Sequence, residues 1–189
     1  MFFFVALGVL WLIHGYVAWR TIPVLGLSFS YAIMVYITVF IFSLLPVVPI
    51  VLRMSGNESK IIDKFSFLGY TSLGFFTLSF IFLFTKDFII QFISIFSNLV
   101  DTEQPIDNSK RDFMKKSITL GIIGISSTAT GFGFYNSRKG PAVIKHDIFL
   151  ESLPESFNNF TIAQISDLHV GPTIKRPYVE NVLDKISIH

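Results

Sequence analysis

Cysteine is absent from the 189 residues, which excludes disulfides, cysteine-ligated zinc and thiol catalysis. Charge is scarce as well: 15% of residues are Asp, Glu, Lys or Arg, against roughly 25% in an ordinary soluble domain. Arg20 is the only charged residue before Arg53, and the net charge of +2 is too small to point to a nucleic-acid partner. What the chain has in place of charge is apolar length, with 51% hydrophobic residues and 22 phenylalanines. After Gly140 the pattern changes, and charged and apolar residues alternate as in a soluble protein. Two physical environments therefore lie along one chain.

A helix that crosses the hydrocarbon core of a bilayer needs about 20 mostly apolar residues. Four runs meet that length, over residues 2–19, 28–52, 65–85 and 117–137. Their continuous Phe, Ile, Leu and Val leave no polar face of the kind a soluble helix keeps. The first run has neither a basic start nor a small-residue cleavage site, so it reads as a span and not as a removed signal peptide. Trp11, Tyr16 and Trp19 near Arg20 suit an interfacial anchor. Pro46 and Pro49 each lack a backbone donor and should kink or end the second helix. His14 lies in the first run, where a hydrogen-bonded packing role outweighs proton handling.

Residues 88–100 are too few to cross and place Gln91, Ser94 and Asn98 on one face. A helix lying in the interface fits them, as does a continuation of the third span. Lys86 and Asp87 would then mark the meeting of the third span with water, or form an intramembrane functional pair. The fourth run is rich in Gly121, Gly124, Ser126, Ser127, Ala129, Gly131 and Gly133, small residues that let helices approach closely. Packing against the other spans is the expected use. A transporter is disfavoured, because the runs show no paired intramembrane charges.

Before the fourth run stands Ser109-Lys110-Arg111-Asp112-Phe113-Met114-Lys115-Lys116. It resembles the twin-arginine export signal, with Lys110 in place of the first arginine and Met114 in place of leucine. Basic clusters of this kind stay on the cytoplasmic side. The expected protein is an integral, multi-pass plasma (inner) membrane protein with both termini and the soluble tail on the extracytoplasmic side. Arg53, Lys60, Lys64, Arg138 and Lys139 count against that orientation.

From Pro141 onward the expected order is a strand over 142–150, a turn at Leu153-Pro154-Glu155 and Asn158-Asn159, a strand over 160–166, a loop, and a helix begun at Pro177. Val179, Val182, Leu183 and Ile186 recur at helical spacing. Strand, acidic loop and amphipathic helix together open an α/β layered fold, in which sites form at the carboxyl ends of strands. The loop reads Ser166-Asp167-Leu168-His169-Val170-Gly171. On an extended backbone, alternation puts Asp167 and His169 on one side, where a carboxylate and an imidazole can share a divalent metal.

The segment Leu153-Pro154 followed by Phe160-Thr161-Ile162-Ala163-Gln164-Ile165-Ser166-Asp167-Leu168-His169-Val170-Gly171 resembles the opening of the membrane-anchored calcineurin-like metallophosphoesterases. The resemblance covers about the last 50 residues, and the membrane part only in layout. It implies a multi-span helical membrane domain, residues 1–140, followed by the start of an α/β metallophosphoesterase domain, a layered β-sandwich with flanking helices, at 141–189. It implies that Asp167 and His169 ligate one metal of a binuclear site holding Mn, Fe or Zn. It further implies hydrolysis of a phosphate mono- or diester, with a lipid-linked substrate suggested by location alone. The family's Gly-Asp-x-x-Asp and Gly-Asn-His motifs are absent. The expectation is therefore a domain cut short and a chain inactive by itself. The alternative is a non-enzymatic membrane anchor with a vestigial tail. His146 and His189 read as ordinary structural residues, and the triplets Asn57-Glu58-Ser59 and Asn159-Phe160-Thr161 carry no assigned role.

Overall fold

The structure, a computed structural model, describes residues 1–57, 59–97, 107–140, 142–150, 154–157, 160–168, 170–171 and 174–187, without the side chains of Phe2, Phe96 and Ser97. Glu58, Asn98, Pro141, Leu153, Asn158, Asn159, His169, Pro172 and His189 lie outside the described residues. The chain forms two compact units, Met1–Phe134 and Tyr135–His189.

The first unit is helical. Its elements are α1 (Phe2–Thr21), a 3-10 turn (Pro23–Leu25), α2 (Phe29–Leu44), α3 (Val48–Met54), α4 (Lys60–Ser97) and α5 (Asn108–Arg138), whose last turn passes into the second unit. Among the described residues four helical stretches are long and apolar enough to cross a membrane: Phe3–Leu25, Phe29–Met54, Lys60–Ile95 and Asn108–Arg138. Apolar side chains on their outer surface, such as Phe4, Leu12, Phe29 and Phe132, are largely exposed. That is the arrangement expected where lipid, and not water, is the solvent.

Ring contacts set the helix directions. His14, Tyr16 and Arg20 of α1 meet Phe76, Phe80 and Asp87 of α4 in ascending order, so α1 and α4 run parallel. Phe67 near the start of α4 touches Phe134 near the end of α5, while Ile122 packs on the cluster of Val17, Phe76 and Leu83. Helix α5 is therefore antiparallel to α4. One end of the bundle carries Arg20, Lys86, Asp87 and Lys110, and the opposite end carries Arg53 and Asp63.

Several hydroxyls within the bundle turn back on their own helices. Ser66, Thr71 and Ser72 donate to carbonyls three or four residues earlier, which satisfies hydroxyls that lipid cannot. His14 is buried, with Nδ1 2.8 Å from the Leu10 carbonyl. A carbonyl only accepts, so Nδ1 carries the proton. The Nε2 atom is buried without a partner, and the ring lies 4.2 Å from that of Phe76.

Two expectations need revision, and a third holds. Residues 88–97 are not a separate interfacial helix: α4 runs unbroken through them for 38 residues, about 57 Å at 1.5 Å per residue. The run has no helix breaker, so nothing ends α4 at Lys86-Asp87. The glycines of α5 are not its packing face: a Cβ at Gly121, Gly124, Gly131 or Gly133 would meet nothing within 4 Å. Helix α5 instead buries Thr119 and Ser126 and packs Ile122 against the core. The proline break is as expected, with α2 closing at Leu44 and α3 opening at Val48 with Pro49 in its first turn.

The second unit contains a 3-10 turn (Glu155–Phe157) and α6 (Arg176–Ser187). Among its described residues no strand forms, and residues 142–150 and 160–168 lie in no regular element. Ile144, Ile148, Phe149 and Ile162 are each at least three-quarters exposed. A strand needs a neighbour to complete its hydrogen-bond ladder, and among the described residues these segments have none beside them. Helix α6 forms close to the expected place, with Pro177 at its second residue and Val182 buried. It packs on the turn at Gly140, where a Cβ would lie 3.3 Å from both Asn181 Oδ1 and Lys185 Nζ.

Candidate metal centre

The metal ligands expected from the sequence are Asp167 and His169, and the structure describes the first of them. Asp167 is exposed and is the one non-glycine residue with positive φ among the described residues, at 57°. Aspartate tolerates this left-handed conformation better than most residues, because its short side chain can bond locally. The extended backbone assumed for the alternation argument therefore ends at Asp167. A left-handed backbone, not a strand, sets the direction of its carboxylate.

The backbone beyond Asp167 closes on itself. The Val170 N–H donates to the Leu168 carbonyl at 2.9 Å, and the Gly171 N–H donates to the Ile174 carbonyl at 3.0 Å. Helix α6 then starts at Arg176, whose guanidinium pairs with Glu180 one turn on at 2.7 Å. Loop followed by helix is the local order expected for the motif. Among the described residues no three His, Cys, Asp or Glu side chains converge to hold a metal. Asp167 alone does not make a centre, so no catalytic step through a metal is derived from this geometry. His146, in the segment before the motif, is exposed.

A second group of ionisable side chains, which the sequence left unconnected, lies in the membrane unit. Asp87 of α4 accepts from the Tyr16 hydroxyl and from Arg20, both on α1. Lys86 Nζ stands 3.2 Å from the same carboxylate. The Arg20 guanidinium also lies 5.0 Å from the centroid of the Trp19 ring, within cation–π range. The sequence contained the signal: a carboxylate at the end of a span requires a cation, and Arg20 is the one charge before Arg53. Arg20 and Asp87, each just past the end of its apolar run, pair across two helices. At the opposite end, Arg53 of α3 pairs with Asp63 of α4.

No family model matches the chain, and no solved structure matches it. The chain is 25% identical over 122 residues, 65% of its length, to a Danio rerio protein described as a transmembrane protein with metallophosphoesterase domain. The match takes in 27% of that relative's length, so the chain spans about a quarter of the protein it resembles. Four membrane-type helices among the described residues, and a likeness to a transmembrane protein with metallophosphoesterase domain, are what geometry and comparison together give.

Proposed function

We propose that this chain is the membrane-embedded leading part of a metal-dependent phosphoesterase of the inner (plasma) membrane. Asp167 and His169 are two ligands of its binuclear divalent-metal centre. The observation that carries the reading is the Ser166-Asp167-Leu168-His169-Val170-Gly171 segment, with Asp167 in a left-handed backbone conformation and a helix beginning at Arg176. The likeness to a transmembrane protein with metallophosphoesterase domain supports it. The remaining ligands belong to family motifs that this sequence does not carry.

In such a centre two metals hold the phosphate ester and lower the pKa of an attacking water. The contribution of this chain is ligation: the Asp167 carboxylate as a hard oxygen donor and the His169 imidazole as a borderline nitrogen donor, a pair compatible with Mn, Fe or Zn. Helix α5 leads from the Lys110 end of the bundle to the Arg53 end. With the basic cluster cytoplasmic, the tail lies on the extracytoplasmic side. A catalytic unit held at the bilayer suits a phosphate mono- or diester that is lipid-linked.

The test is hydrolysis of a nitrophenyl phosphate diester by the full-length protein in proteoliposomes. Asp167→Asn is the chosen variant because asparagine also accepts a left-handed backbone, so the fold of the turn is kept while a ligand charge is lost. With His169→Ala beside it, each is expected to lower turnover by more than roughly 100-fold, since even partners behind a ligand are worth 10–100-fold. Membrane insertion should be unchanged. Full activity in both variants would sink the ligand assignment. A full-length protein inert with Mn, Fe and Zn alike would favour the non-enzymatic anchor.

A further inference from the structure

The Arg20–Lys86–Asp87 group holds two cations against one carboxylate. The Tyr16 hydroxyl adds a donor and no charge. The group is not sealed, for the side chains of Arg20, Lys86 and Asp87 are 34%, 21% and 18% exposed. It therefore presents an excess of positive charge at the flank of the bundle, within reach of a small anion.

The surface does not turn polar beyond this group, as it would if water began there. Helix α4 continues with Phe88, Ile89, Ile90, Phe92 and Ile93 all at least half exposed. On the neighbouring elements Leu25 and Phe29 are exposed as well. Charged groups with exposed apolar surface on both sides lie at the depth where headgroup phosphates meet acyl chains, because long cationic side chains and aromatics settle there. The same end of the bundle also carries Lys110, Arg111, Lys115 and Lys116, all exposed on the first turns of α5. Lys110 Nζ stands 3.9 Å from the Asp107 carboxylate.

We infer that this end of the bundle binds the headgroup of an anionic phospholipid. Its phosphodiester pairs with Lys86 and the exposed edge of Arg20, its acyl chains lie along the exposed Ile81, Phe82 and Phe84 of α4 on the bilayer side of that group, and the basic start of α5 supplies further attraction. Charge complementarity selects the anionic lipid over a zwitterionic one, since each juxtamembrane cation favours it independently. The apolar surface beside the cations selects a lipid over a soluble phosphate. The inference concerns Arg20, Lys86, Asp87 and the start of α5, and does not rest on the phosphoesterase reading.

The experiment uses the full chain purified in a neutral detergent, with bound lipid counted by native mass spectrometry and thermal unfolding followed in parallel. Phosphatidylglycerol should bind and raise the unfolding temperature, while phosphatidylcholine of the same acyl length and inorganic phosphate should not. Lys115→Gln with Lys116→Gln, two exposed positions whose loss leaves the fold intact, should weaken phosphatidylglycerol binding by about 25-fold, at roughly five-fold per cation. Lys86→Gln should weaken it further, and Lys86→Arg should restore it. Equal binding of phosphatidylcholine overturns the proposal, as does unchanged binding in the Lys115/Lys116 double variant or in Lys86→Gln. Stabilisation by inorganic phosphate equal to that by phosphatidylglycerol overturns it in favour of a soluble-anion site.

Discussion

Gly69 of α4 lies directly against Leu45 at the break between α2 and α3. A Cβ built at Gly69 would stand 2.5 Å from the Leu45 carbonyl oxygen and 2.8 Å from the nitrogen of Pro46. In an unbroken helix the Leu45 carbonyl would accept from residue 49, but residue 49 is proline and has no N–H. The proline break thus displaces a carbonyl toward α4, and only a residue without a side chain admits it.

Gly69→Ala should therefore destabilise the bundle, even though alanine is the better helix former by about 1 kcal/mol. The neighbour at 2.5 Å is backbone and cannot swing aside. An overpacking cost of roughly 1–3 kcal/mol is expected, read as a lower unfolding temperature in detergent. Gly124→Ala is the control, since nothing lies within 4 Å of its Cβ position. A stabilised Gly69→Ala protein would show that the two helices do not meet in this way.

The Arg20–Asp87 pair ties α1 to α4. Asp87→Asn leaves Arg20 and Lys86 facing each other without their shared carboxylate, and Arg20→Gln leaves Asp87 with Lys86 and Tyr16. The two substitutions share partners, so their effects should not add. A double-mutant cycle should give a coupling of roughly 0.5–3 kcal/mol. Additive losses would mean that the pair contributes nothing to helix association.

His14 should be replaceable by phenylalanine at little cost. Its Nδ1 bonds only within its own helix, to the Leu10 carbonyl, while Nε2 is buried without a partner. Removing an unsatisfied buried polar atom recovers its desolvation cost, about 1–3 kcal/mol, against one lost hydrogen bond of about 1 kcal/mol. The unfolding temperature of His14→Phe should equal or exceed that of the parent. A large loss of stability would reveal a partner for Nε2, such as a bound water or lipid group.

Orientation has a direct test. A reporter active only outside the cytoplasm should give signal when fused after residue 145 and none when fused near residue 105. Four cations at Lys110, Arg111, Lys115 and Lys116 fall within seven residues, and such density at a helix end holds it in the cytoplasm. The reverse pattern of signal would invert the bundle and place Asp167 inside.

Much was legible in order of residues alone. Apolar runs longer than a bilayer is thick determine spanning helices, because no other open structure satisfies its backbone in lipid. Pro46 and Pro49 fixed the break after Leu44 for the same local reason, a missing donor. Val179 and Val182 at helical spacing foretold α6, and the strand-loop-helix chemistry around Asp167 was read as far as the loop and the helix.

Tertiary structure decided what depends on a partner from elsewhere in the chain. Whether Arg20 is an anchor or half of an ion pair depends on where Asp87 comes to rest, 67 residues away. Gly69 and the glycines of α5 look alike in sequence, yet only the first has another backbone against it. The apolar segments on either side of the 3-10 turn Glu155–Phe157 have strand composition but no ladder among the described residues. Strand pairing is non-local and needs a neighbour in space, whereas a helix satisfies its own backbone within four residues. The sequence therefore determined the helices, and only the fold decided which side chains meet between them.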